Sequence, residues 1–165
     1  MTKSWNDLAE LSTTVNNSYN NLLLIDGNNV AYRWLQRINY NNFSSDYQRT
    51  VQSLANSYEA CRTIVCFDFG RSYYRMNMYE EYKQNRKKPK EEDEQKKYEE
   101  FFGVLNNLPD TLREEVLKFR GIEADDVIAY LAKNIAKQYD HTWIVSSDRD
   151  LLQLIDDNVS IFNMF

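Results

Sequence analysis

Apolar residues in this chain come in short bursts, and several bursts end on an acid or a small polar turn. Leu22-Leu23-Leu24-Ile25 runs into Asp26, Thr63–Phe67 into Asp68, and Thr142–Val145 into Ser146-Ser147-Asp148. Runs this short, bounded by turn residues, fit strands buried on both faces. Leu117–Phe119 and Val159–Phe162 complete five predicted strands. Between them the period becomes helical. Asp46–Glu59, capped by Ser45 or Asp46 after the loop Asn39–Ser45, puts Val51, Leu54, Ala55 and Tyr58 on one face. Glu123–Gln138 does the same with Val127, Ile128, Leu131 and Ile135. Shorter helices are expected over Val30–Ile38, Thr111–Val116 and Asp148–Leu154. Alternating strands and helices imply an α/β fold, a parallel sheet with helices on both faces.

Two stretches lack this pattern. Residues 1–20 are polar and rich in Ser, Thr and Asn, with a short helix expected near Trp5–Leu11. We read them as an extension ahead of a single domain over 21–165. Residues 71–100 are dense in Tyr and charge and poor in aliphatics, which predicts a projecting, partly helical segment.

Composition sharpens the picture in places. With 165 residues and 42% apolar content the chain is long enough for one real core and too apolar for wholesale disorder. A net charge of −5 is not the basic balance usual for nucleic-acid binders, but the charges are segregated along the chain. Cys61 and Cys66 have no metal-ligand spacing, and a reduced, cytoplasmic setting is the simpler expectation. No stretch has the roughly 18 apolar residues of a membrane span, and the first twenty residues lack the apolar core of a signal peptide.

The candidate chemistry is acidic. Asp26, Asp68, Glu123, Asp125, Asp126, Asp148 and Asp150 all follow a predicted strand or open the helix after one. Strand ends of a parallel sheet share one edge, where α/β proteins bind ligands. Each acid has a plainer explanation: Asp-Gly is a turn pair, and acids favour helix N-termini. Together they exceed what caps and turns require. Crowded carboxylates repel unless a cation neutralises them, and oxygen-only ligands select a hard ion such as Mg²⁺ or Mn²⁺. Glu123 and Asp126 share a helix face at i, i+3, whereas spacing alone leaves Asp125 off it. Other chemistries are poorly supplied: there is one histidine, His141, and neither a Gly-rich phosphate loop nor a Cys/His cluster.

A second patch is basic. Lys83, Arg86 and Lys87 lie at i, i+3, i+4, with Tyr79 one turn earlier, Tyr82 adjacent, and Arg71 and Arg75 upstream. Cations suit phosphates and tyrosine rings suit unpaired bases, which makes this a candidate nucleic-acid interface; a solvated charged helix is the alternative.

Four ordered motifs then carry a resemblance: Leu23-Leu24-Ile25-Asp26-Gly27-Asn28-Asn29, Glu81-Tyr82-Lys83-Gln84-Asn85-Arg86, Gly121-Ile122-Glu123-Ala124-Asp125-Asp126, and Ser147-Asp148-Arg149-Asp150-Leu151-Leu152-Gln153-Leu154. The chain resembles the 5′-nuclease or flap-endonuclease family, phage members above all, over nearly its whole length. The resemblance implies a three-layer PIN-like (resolvase-like) domain with a central, mostly parallel sheet and a projecting helical arch over about residues 71–100. It implies cleavage of phosphodiesters near 5′ ends of branched or single-stranded DNA with two Mg²⁺ (or Mn²⁺) ions, bound by the seven acids. It also implies that Lys83 and Arg86 act at the scissile phosphate and that Tyr82 stacks on a displaced nucleotide. Family members continue into a helix-hairpin-helix-like DNA-binding domain with further aspartates, which this sequence lacks. Three readings stay open: a nuclease completed in trans by a separate polypeptide, a self-sufficient PIN-like single-strand nuclease, and a non-catalytic DNA-binding or assembly module.

Overall fold

A computed structural model describes residues 20–35, 40–80 and 92–164. Five parallel strands form one sheet: β1 (Asn21–Asp26), β2 (Ala60–Phe67), β3 (Glu115–Lys118), β4 (His141–Val145) and β5 (Val159–Phe162), in the order β3-β2-β1-β4-β5. The chain starts at the centre, builds outwards through β2 and β3, then returns to the other side of β1. Strand order therefore reverses between β1 and β4, and the crevice beyond their carboxyl ends is the usual ligand position in such sheets.

Both faces of the sheet are covered because side chains alternate along each strand. Leu23, Ile25, Val65, Phe67 and Val145 face α1 (Gly27–Ala31), α2 (Phe43–Ser57) and α4 (Glu92–Asn107). Leu22, Leu24, Ile64, Cys66 and Ile144 face α5 (Ala124–Asn134) and the 3₁₀ turns at 136–138 and 149–154. Tyr47 on α2 is fully buried and its hydroxyl donates to the Gly27 carbonyl at 3.0 Å, which ties the first β–α corner to that layer.

Two short helices expected from the sequence are placed differently. The first helix begins at Gly27, not Val30, and tightens into a 3₁₀ turn over Tyr32–Trp34. Thr111–Val116 is not helical: a 3₁₀ turn over Leu108–Thr111 leads into β3, whose Val116 and Leu117 pair with Val65 and Cys66. Sheet pairing with β2 overrides local helix preference there. The segment read as projecting, about 71–100, runs into α4, where Tyr98 is partly buried and Phe101 and Leu105, just beyond the segment, are buried, with Phe101 packing on Tyr40 and Phe43. Between 71 and 80 the expectation of partial helix matches α3 (Tyr73–Met78), which buries none of its residues. The helix near Trp5–Leu11 and the cluster Tyr82, Lys83, Arg86 and Lys87 lie outside the described residues.

Candidate active site

Asp26 ends the central strand and caps α1. Its Oδ1 accepts the Asn29 N–H at 3.1 Å and its Oδ2 accepts the Ser146 hydroxyl at 2.9 Å. The glycine after it allows this corner: a Cβ on Gly27 would lie 2.6 Å from the Phe67 ring, so only glycine lets the chain pass beneath it. Burial raises the Asp26 carboxyl to about 7; its two hydrogen bonds work against this, and the neighbouring Asp68 and Asp148 charges add to it.

Asp68 follows β2. Its Oδ1 accepts the Ala124 N–H at 2.7 Å, at the first turn of α5, while its own N–H donates to Asn28 Oδ1 at 3.1 Å. Asp148 follows β4 and caps the 3₁₀ turn by accepting the Asp150 N–H at 2.9 Å. Asn29 locks β1 to β4 through Ser147, whose N–H donates to Asn29 Oδ1 at 3.0 Å while Asn29 Nδ2 donates to the Ser147 hydroxyl at 2.8 Å. Asp26, Asp68, Glu123, Asp125 and Asp148 then line one cavity of about 130 Å³, with Asn28, Asn29 and Tyr32.

The α5 acids are arranged differently. Arg75, on α3, forks across all three. Its Nη1 lies 2.6 Å from Glu123 Oε2, and its Nη2 lies 3.2 Å from Asp125 Oδ2 and 2.8 Å from Asp126 Oδ1. Glu123 is buried, and its Oε1 also accepts the Ser72 N–H at 3.4 Å. Burial and the Asp125 charge raise the Asp126 carboxyl, and Arg75 opposes that rise. Asp126 and Asp150 sit in a second cavity of about 190 Å³ with Arg75 and Asp125. Asp125 is thus the wall common to both cavities.

Five of the seven acids therefore converge and two lie next door. Helical spacing misjudged Asp125, because the cavity wraps around the end of α5 instead of lying along one face. Arg75, read as a nucleic-acid contact, is engaged in this structure with carboxylates across 48–51 residues of sequence. Arg71 is exposed in the bend before α3 and lines neither cavity. Sequence reasoning assigned no site role to Asn28, Asn29, Ser146 or Tyr32. The pairs Asn28-Asn29 and Ser146-Ser147, each beside a strand-end acid, were the available signal.

The donor set suits a hard divalent ion, since every charged wall group is a carboxylate and a guanidinium already pairs with two of them, Glu123 and Asp125. Among the described residues no three acids close on one point as they stand. Asp26, Asp68, Glu123, Asp125 and Asp148 are the groups that would hold an ion, and Arg75 is paired with two of them.

Residues 21–165 match the family described as 5′-3′ exonuclease, N-terminal resolvase-like domain. The chain belongs to that family. Among curated proteins it is 38% identical to the flap endonuclease of Escherichia phage T5, over 99% of this chain and 58% of that protein. It is 29% identical to a 5′-3′ exonuclease of Buchnera aphidicola, over 87% of this chain and 51% of that protein. The chain thus spans about half the length of the curated relatives it matches. A T5 protein co-crystallised with metal ions superposes with a TM-score of 0.81 at 38% identity, covering 87% of this chain and 55% of that one. A T5 flap endonuclease in a pseudo-enzyme-product complex with DNA and metal ions gives 0.78 at 35%, with the same coverage. The five-stranded sheet with helices on both faces is the resolvase-like, PIN-like fold of this 5′-3′ exonuclease family. No helix among the described residues is long and apolar enough to cross a membrane.

Proposed function

We propose that this domain carries the catalytic centre of a divalent-metal-dependent 5′-nuclease that hydrolyses phosphodiesters of branched or single-stranded DNA. One observation carries the reading most: five carboxylates from four separate chain segments face a single cavity at the point where strand order reverses. The metal-bound and DNA-bound T5 structures support the choice of ligand and substrate.

Asp26, Asp68, Glu123, Asp125 and Asp148 form the principal ion-binding wall, and Asp126 and Asp150 contribute from the neighbouring cavity. A bound Mg²⁺ or Mn²⁺ supplies Lewis acidity and a water of lowered pKa. The protein's own part is to fix these carboxylates: Ser146 and Asn29 hold Asp26, the α5 N-terminus holds Asp68, and the 3₁₀ turn holds Asp148. The arch over about residues 71–100 supplies the DNA contacts, with Arg71 at phosphates, Tyr82 stacking on a base, and Lys83, Arg86 and Lys87 bringing positive charge to the reacting phosphate. DNA is the partner, in a cytoplasmic setting. A separate polypeptide carrying the C-terminal DNA-binding half completes the enzyme where the isolated chain is inactive.

The test is cleavage of an end-labelled 5′-flap DNA in Mg²⁺, in Mn²⁺ and in chelator, with Asp148→Asn as control, by the chain alone and with the C-terminal half of a T5-type relative added. Metal-dependent cutting that the variant lacks supports the reading. A folded chain that binds the flap yet never cuts, even with that half supplied, overturns it.

A further inference from the structure

α3 is attached unlike the other helices among the described residues. It is six residues long and buries none of them, and Tyr73, Tyr74 and Met78 are exposed. Its hold on the domain is polar. The Tyr73 N–H donates to the Gly121 carbonyl at 2.9 Å, the Ser72 N–H to Glu123, and the Arg75 fork spans Glu123, Asp125 and Asp126. The Tyr73 ring also lies over Gly121, where a Cβ would lie 2.2 Å from the ring. Two of the acids that Arg75 grips, Glu123 and Asp125, also line the strand-end cavity with Asp26, Asp68 and Asp148.

One set of carboxylates therefore has two uses. We infer that Arg75 is a positioning residue that exchanges with the divalent ion: without the ion its guanidinium neutralises Glu123 and Asp125 and docks α3, and with the ion those carboxylates turn inward and α3 is released. The inference rests on the metal-dependent reading above. Its physical basis is competition between cations. A guanidinium within hydrogen-bond reach lowers the negative potential an incoming ion meets, and a carboxylate bridged to Arg75 on one side is held away from the strand-end acids. This also accounts for a cation so near the acids that is not aimed at solvent.

The test uses Mn²⁺ binding, measured by calorimetry, and hydrogen exchange of the Tyr73–Met78 amides, on the wild type, Arg75→Gln, Arg75→Lys and Asp148→Asn. In the wild type Mn²⁺ should speed α3 exchange. Arg75→Gln should bind Mn²⁺ several-fold more tightly, and its α3 amides should exchange fast with or without the ion. Arg75→Lys keeps the charge but cannot span three carboxylates, so it should fall between the two; it also keeps the test valid if the glutamine variant misfolds. Equal or weaker Mn²⁺ binding in the variants, or α3 exchange indifferent to Mn²⁺ in the wild type, overturns the inference alone. Absence of Mn²⁺ binding in the wild type overturns the metal-dependent reading with it.

Discussion

The two halves of the acidic edge are held by different kinds of partner. At the strand ends, Asp26 is held by a hydroxyl and a backbone N–H, and Asp68 accepts a backbone N–H. At the start of α5, Glu123, Asp125 and Asp126 share one guanidinium. Neutral donors orient a carboxylate but leave its charge in place, so the strand-end half keeps the field that attracts a cation, and burial drives Asp26 towards protonation. The α5 half is already compensated. Acid counts alone would have treated these seven residues as one self-repelling cluster; geometry divides them.

That contrast can be broken most decisively by activity. Asp148→Asn in the strand-end half should reduce metal-dependent cleavage by on the order of 10²–10³-fold, the scale for losing one charged group at a reacting centre. Asp126→Asn should lose less, about tenfold, the low end of the scale for a group that supports a metal site. Comparable losses in single-turnover assays would merge the two halves into one functional unit.

Stability against pH sharpens it next. The Asp26 carboxyl is raised to about 7 in the folded chain, above its unfolded value. The folded state then binds the extra proton, so this contribution is fully present below the unfolded pKa and is lost as pH rises through about 7. Without divalent ions, stability should fall by about 2 kcal/mol between pH 5 and pH 8 from this group. Asp26→Asn should flatten that slope in urea titrations, and Asp126→Asn should flatten it less. A slope of opposite sign in the apo wild type would show Asp26 to be compensated after all.

A smaller effect tests the α5 side through its backbone. Gly121 has φ of +74°, and the Tyr73 ring lies against it. Gly121→Ala should cost about 1–2 kcal/mol from both strain and clash, and hydrogen exchange should report the loss at α3 before it reaches the sheet. Uniform weakening across the sheet would mean that α3 is not the separable element described above.

The smallest expected effect concerns the two arginines flanking the start of α3. Arg71 is exposed, and Arg71→Ala should weaken flap-DNA binding a few-fold while lowering the salt dependence by about one ion. Arg75, bound to carboxylates, should leave that salt slope unchanged when replaced by Gln. Equal slopes for the two variants would return Arg75 to the DNA interface.

How much of this was legible follows the reach of each interaction. Asp26, Asp68 and Asp148 were readable as a shared edge because each depends only on the apolar run before it and on the parallel rule for strands. The four motifs carried the family. Asp125 was kept among the seven acids although spacing left it off the shared face, because spacing along a helix describes its sides, whereas the cavity lies across its end. Arg75 was placed with the basic segment because its partners lie some 50 residues away, and no local pattern records a pairing that distant. β3 was shortened and preceded by a false helix because its register is set by β2, not by its own glutamates.

The hydrogen bonds between Asn29 and Ser147, and between Asp26 and Ser146, link positions 118 and 120 residues apart. Because β1 sits centrally and its second neighbour, β4, arrives late in the chain, this junction closes only after most of the domain has been synthesised. Contacts of such long sequence separation form slowly. A nascent chain that has made β1 and β2 holds Asp26 and Asp68 without Asp148, and so lacks a complete set of carboxylates. The topology thereby acts as a timer: the acidic edge matures only when the fold around it is nearly finished.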